Sequence, residues 1–217
     1  SLDTPVIGLV ARQAGTRFEL DDIRARLATA TFPRDATALG LADELAVLGS
    51  FFAGPRALAE FARAAPLNTD DRPVVAYRAP RVTYERERAP PPAERLVALL
   101  RETAVEPREI LAPQDIEAGP RFAAYWAARN RFIEVGRGVQ PASDAAAMLA
   151  QVRDPLLAVL RTSPDFRPAY DPLLRMAQEL GRVDATAARD VLAELERVQP
   201  GRADASHALR ELEHATP

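Results

Sequence analysis

The sequence predicts a mainly α protein of the α+β kind: a small antiparallel two-strand remnant of an α/β segment with helices, followed by an array of helix pairs. Three observations predict it. Apolar residues recur at helical spacing over most of the 217-residue chain, whereas only two short runs, around Val6-Ile7 and Val74-Val75, carry β-type residues in sequence. The composition shifts sharply at a charge-alternating, proline-rich stretch near residue 85. Beyond it an Ala-Tyr pair twice precedes a glycine by about a dozen residues, which is how paired helices with short turns would read.

Taken in order, Thr4-Pro5-Val6-Ile7-Gly8-Leu9-Val10 is expected to form a short buried strand. Leu20, Ile23 and Leu27 then mark one face of a helix over residues 19–30, which Pro33 stops. Asp35 is placed to cap a turn, and Leu41, Leu45 and Leu48 form a second apolar face. Pro55 suits the first position of a third helix with Leu58, Phe61 and Ala62 as its buried stripe. The polar cluster Leu67-Asn68-Thr69-Asp70-Asp71-Arg72-Pro73 reads as a turn running into a strand at Val74-Val75-Ala76-Tyr77. Each strand is the nearest partner for the other, so residues 5–10 and 73–78 are expected to pair antiparallel. A free edge of such a pair would let two copies of the chain dimerise.

Tyr84-Glu85-Arg86-Glu87-Arg88 and Ala89-Pro90-Pro91-Pro92 then form a stiff, extended edge. Residues 82–116 are expected to be a linker with one short helix, Glu94 to Thr103, burying Leu96, Val97, Leu99 and Leu100. Residues 117–217 follow as helix pairs. In the first, Ala124-Tyr125-Trp126 leads to Gly136; in the second, Ala169-Tyr170 leads to Gly181. The glycines are expected to end their helices in left-handed turns, and Asp154-Pro155 to restart a helix. Ala128 and Ala177 should sit at close helix approaches, with Leu173, Leu192 and Leu195 between pairs. An irregular helical bundle is the alternative.

Composition excludes much chemistry. All 28 basic residues are Arg, so lysine nucleophiles, Schiff bases and a complete Walker A loop are absent. There is no Cys, hence no disulfide, thiolate or cysteine zinc site. His207 and His214 lie about 10 Å apart along a helix, too far for one metal. A net charge of -3 argues against nucleic acid as a partner. No apolar run is long enough to span a membrane, so no direct membrane insertion and a cytoplasmic location are expected. Gly136-Arg137-Gly138 is the only Gly-x-Gly and lies between helices, so no phosphate loop exists. Carboxylates such as Glu194 pair with Arg at helix spacing and read as solvated faces.

The stretch PLNTDDRPVVAYRAPR, with TPVIGLV and GSFFAGPRALAEFARAAPLNTDDRP upstream, resembles the end of the synthase domain in bacterial spermidine synthase-like proteins. The helix pairs are similar to tetratricopeptide repeats, although 45 residues separate Gly136 from Gly181 where that repeat has a period of 34. The resemblance implies three parts: the C-terminal portion of an α/β synthase domain at 1–81, the linker at 82–116, and a tetratricopeptide-like domain at 117–217. It also implies a parent that transfers an aminopropyl group from decarboxylated S-adenosylmethionine to a polyamine and is anchored by membrane helices upstream.

A chain that opens on Ser1 and enters an apolar strand at once is expected to be a segment of such a parent. It would be catalytically incomplete and without a cofactor of its own. Asp70 and Asp71 are the candidate substrate-binding residues, two carboxylates able to grip ammonium groups, with local loop capping as the competing role. Two functions stand side by side: the inert tail of an aminopropyltransferase-type enzyme, and an interaction module whose helical array binds a peptide or protein. A groove lined by exposed Tyr125, Arg129 and Tyr170 would favour the second.

Overall fold

The computed structural model describes residues 8–9, 17–29, 40–84 and 90–215. Its helices, in chain order, are α1 (Leu20–Ala28), α2 (Glu44–Gly49), α3 (Pro55–Ala62), α4 (Val74–Tyr84), α5 (Pro92–Glu102) and α6 (Pro107–Ile110). A 3-10 turn (Pro113–Ala118) leads into α7 (Gly119–Gly138), α8 (Ala145–Thr162), α9 (Arg167–Leu180), α10 (Ala185–Val198) and α11 (Ala203–Ala215). The mainly helical character read from apolar spacing is what the structure shows.

From α7 onward each helix packs against the next, and α10 returns to α8 and α11 to α9. Aspartates start three of the chain's helices: Asp43, Asp144 and Asp184 accept from the N–H groups of Ala46, Ala147 and Ala187 at 2.7, 2.8 and 2.9 Å. Each satisfies a donor that the first helical turn leaves unpaired. The interior is aliphatic with a few rings. Ala128, Ala177, Leu173, Leu192 and Leu195 are all fully buried, as the pairing of helices requires. The same core takes in Leu20, Leu45 and Leu48 from α1 and α2.

The strands are a correction. Val74–Tyr84 is helical, not a strand. Of residues 5–10 only Gly8 and Leu9 are among those described; neither is in a strand, and Leu9 is 83% exposed. As a helix, the backbone of 74–84 satisfies its hydrogen bonds internally. The polar cluster assists: the Asn68 side chain accepts from the Val75 N–H at 3.0 Å, and Thr69 and Arg72 close a tight turn on each other. The residue types that favour turns also favour helix starts, and two valines cost only a few tenths of a kcal/mol each in a helix. With no strand at 73–78, no sheet edge exists there for a second copy. Among the described residues the sole β contact is the parallel bridge of Phe18 with Leu111.

Three further differences have clear causes. α8 runs unbroken through Pro155, because Val152, Leu156, Leu157, Val159 and Leu160 on either side are buried and hold it. α7 continues past Gly136 to Gly138, and Gly181 caps α9 with right-handed φ, so neither glycine makes the expected left-handed end. What limits Gly181 is space: an added Cβ would lie 2.6 Å from the Leu212 side chain of α11. Finally, α3 begins at Pro55 as expected but buries nothing; Phe61 is 62% exposed.

Candidate functional site

α7 is a hub of the packing, with α2, α5, α6 and α8 all against it. Its Tyr125-Trp126 pair and Arg129 close over the end of α2. The Trp126 indole donates to the Leu48 carbonyl at 3.0 Å, and Arg129 donates to the carbonyls of Gly49, at 2.8 Å, and Phe51. The Leu48 and Gly49 carbonyls belong to the last turn of α2, which has no intrahelical donors for them, and the helix dipole favours a cation at that end. Burial lowers the Arg129 pKa to about 10, so the guanidinium stays charged at neutral pH although no carboxylate among the described residues pairs with it. Burial likewise pushes the Tyr125 phenol up to about 12. Tyr125 meets Phe166 edge-on, with centroids 5.0 Å apart.

Arg129 also orders its neighbour. Its Nε and Nη2 both donate to the Asn130 side-chain oxygen, at 3.0 and 2.8 Å. A guanidinium has donors only, so these two bonds fix the amide with its oxygen toward Arg129. The Asn130 NH2 therefore faces away from Arg129 and donates to no acceptor among the described residues.

Between α5 and α7 lies an open cavity of about 580 Å³. Val97, Leu100 and Arg101 line it from α5, and Ala127, Asn130, Arg131 and Glu134 from α7. The latter four recur at the i, i+3, i+4, i+7 spacing of one helix face. Val97 and Leu100 make a buried apolar floor. At one end Arg101 and Glu134 hold each other at 2.9 Å. Arg131 is exposed and forms no ion pair or hydrogen bond with the described residues. The groove thus combines an apolar floor, one neutralised charge pair and two unspent donors.

The residues singled out from the sequence fall elsewhere. Asp70 and Asp71 are exposed in the turn before α4 and are not among the residues lining the cavity between α5 and α7; Asn68 and Thr69 accept the side-chain hydrogen bonds in that turn. Tyr125 and Tyr170 are core residues and Arg129 is half-buried, so the expected groove lining of these three is corrected: they hold the fold together. His207 pairs with Glu211 at 3.2 Å, and Glu194 pairs with Arg197 at 2.9 Å as its spacing suggested. Among the described residues no group of three or more His, Cys, Asp or Glu could hold a metal ion. No described helix is long and apolar enough to cross a membrane.

The sequence missed the groove because α7 is covered on several sides. Its apolar residues spread around the helix, and the polar stripe 127-130-131-134 does not stand out as a face. The one available signal was the consecutive polar run Arg129-Asn130-Arg131, whose nearest acid, Glu134, is taken by Arg101 in the structure. No protein-family model, no curated protein and no solved structure matches this chain.

Proposed function

We propose that this chain is a non-catalytic interaction module, a tetratricopeptide-like helical array that binds a peptide segment of another protein. The observation that carries the reading is the serial packing of α7 to α11 with a regular unit inside it. α9 and α10 have 14 residues each, and from the start of α9 at Arg167 to the start of α11 at Ala203 is 36 residues, close to the repeat's 34. Such arrays bury their core between neighbours and leave long side surfaces for partners. The departure is the first pair, where α7 has 20 residues and α8 has 18.

The spermidine synthase-like resemblance of residues 1–81 enters this reading as parentage, without an activity. The aminopropyl-transfer chemistry would belong to sequence outside this chain, and Asp70 and Asp71 would be solvated residues of the turn before α4. The test is selection from a random peptide display library against the immobilised 217-residue chain, followed by calorimetric titration of the enriched peptides. Related sequences binding with micromolar constants are expected. A selection that enriches nothing over bare matrix would overturn the proposal.

A further inference from the structure

Resting on the interaction reading, we infer that the groove between α5 and α7 is the docking site, and that its occupant is an extended peptide segment carrying an acidic side chain beside an aliphatic one. The exposed Ala127 side chain, set over the buried Val97 and Leu100, is matched to an aliphatic group. The donors at its side are matched to a carboxylate. Arg131 is a cation without a counter-ion among the described residues, and the Asn130 NH2 is turned outward because Arg129 occupies the amide oxygen. Arg129 is therefore a positioning residue: anchored to the end of α2, it holds the Asn130 amide in the orientation that offers hydrogens to the groove.

Charge complementarity selects the sign of the ligand. Glu134 is already neutralised by Arg101, so the net charge left along the groove is the single positive one of Arg131. A basic peptide would meet Arg131 with no free acid to receive it. An uncharged one could offer carbonyl oxygens to the donors but would leave the Arg131 charge unneutralised. From Ala127 to Glu134 the groove follows about two turns of helix, roughly 10 Å, which spans about three residues of extended chain. That length holds one acidic residue with an aliphatic neighbour and little more.

The experiment selects peptides from a random library on the wild-type chain and titrates the winners against three variants. Ala127→Trp fills the groove, Arg131→Gln removes the cation, and Arg129→Gln releases the amide. Ala127 and Arg131 are exposed, so these two variants keep the fold, which thermal melts verify. The expected result is that enriched peptides contain Asp or Glu next to Leu, Ile or Val and stop binding Ala127→Trp. They should lose about tenfold in affinity on Arg131→Gln, the size of one charge-assisted hydrogen bond. Replacing the peptide's acid by its amide should cost the wild type about the same and Arg131→Gln almost nothing. Arg129→Gln, which still folds if its melt is cooperative, should lose part of that acid preference; retention of it assigns Arg129 to α2 alone and overturns its positioning role. Peptides that bind equally to Ala127→Trp, or that show no acidic preference, overturn the docking site and leave the interaction module standing. The absence of any binding peptide overturns both.

Discussion

Among the described glycines, Gly49, the last residue of α2, has the least room for a side chain. A Cβ built there would lie 2.2 Å from Cε1 and 2.4 Å from Cδ1 of Tyr125, inside the van der Waals radius of a ring that is itself buried and set edge-on to Phe166. Gly49→Ala must therefore push the ring, α2 or both. Overpacking of this kind costs about 1–3 kcal/mol. Ala gains about 0.5–1 kcal/mol over Gly in a helix, so the net loss is about 0.5–2 kcal/mol. For a chain of this size that lowers the thermal midpoint by about 1–8 °C. The reasoning is checked by a cycle with Tyr125→Leu, which removes the ring carbons. In that background Gly49→Ala should be neutral or slightly stabilising, giving a coupling of about 1 kcal/mol or more. Urea and thermal unfolding followed by circular dichroism measure all four proteins. Equal or greater stability of the single Gly49→Ala variant, or the same loss with and without the Tyr125 ring, refutes the account.

Three further outcomes are expected. Ser163 is buried with no hydrogen-bond partner for its hydroxyl, so Ser163→Ala should leave the midpoint unchanged or raise stability by up to about 1 kcal/mol; a clear loss would reveal a hydroxyl partner. The two hydrogen bonds from Arg121, at 2.7 and 2.9 Å, hold the Asp165 carboxyl below its ordinary range; for Glu44 burial acts upward but the bond from Arg24, its own backbone N–H and the Arg24 charge outweigh it. Folded pKa values below the unfolded ones mean stability present above about pH 4–5 and lost as pH falls through the folded values, so melts should be flat from pH 7 to 5 and decline below, less steeply in Arg121→Gln. Replacing Asp70 and Asp71 by Asn should shift stability by less than about 0.5 kcal/mol, and mass spectrometry should find no aminopropyl transfer from decarboxylated S-adenosylmethionine to a diamine by the unaltered chain; a transferred group would restore the enzymatic reading.

Helices were legible where a repeating apolar face coincided with a cap or a proline at the first position. Leu20 with Ile23, Leu45 with Leu48, and the run around Leu192 and Leu195 all share the core as their spacing indicates. Residues 73–78 were not legible, and the reason lies in the ambiguity of their flanks. Asn68, Thr69, Asp70 and Asp71 are turn formers and helix starters alike, and Val-Val-Ala-Tyr is too short to show a period of 2 or 3.6. What settles such a segment is whether a neighbouring strand exists, which is a property of the rest of the chain. Pro155 misled for a similar reason: a missing N–H weakens one rung, while five buried aliphatic neighbours decide whether the helix continues.

The candidate site was hidden for a different reason, since its key orientation is set indirectly. Arg129, Asn130 and Arg131 are consecutive and equally polar, yet the fold gives them three unrelated environments. Arg129 turns inward because the end of α2 presents the carbonyls of Gly49 and Phe51, about 80 residues earlier in the chain. Asn130 is then oriented by Arg129, and Arg131, one step further round the helix, faces solvent above Val97 and Leu100. Each assignment depends on the one before it, and the first depends on a contact between α2 and α7 that no local pattern announces. The consequence is a coupling across the molecule: a change at the end of α2 that withdraws those carbonyls also frees the Asn130 amide to rotate. Gly49, which lets α2 approach Tyr125, thus serves the groove as well as the core. A Gly49→Ala protein that still folds should therefore bind groove peptides with a weaker preference for an acid, by the same route as Arg129→Gln.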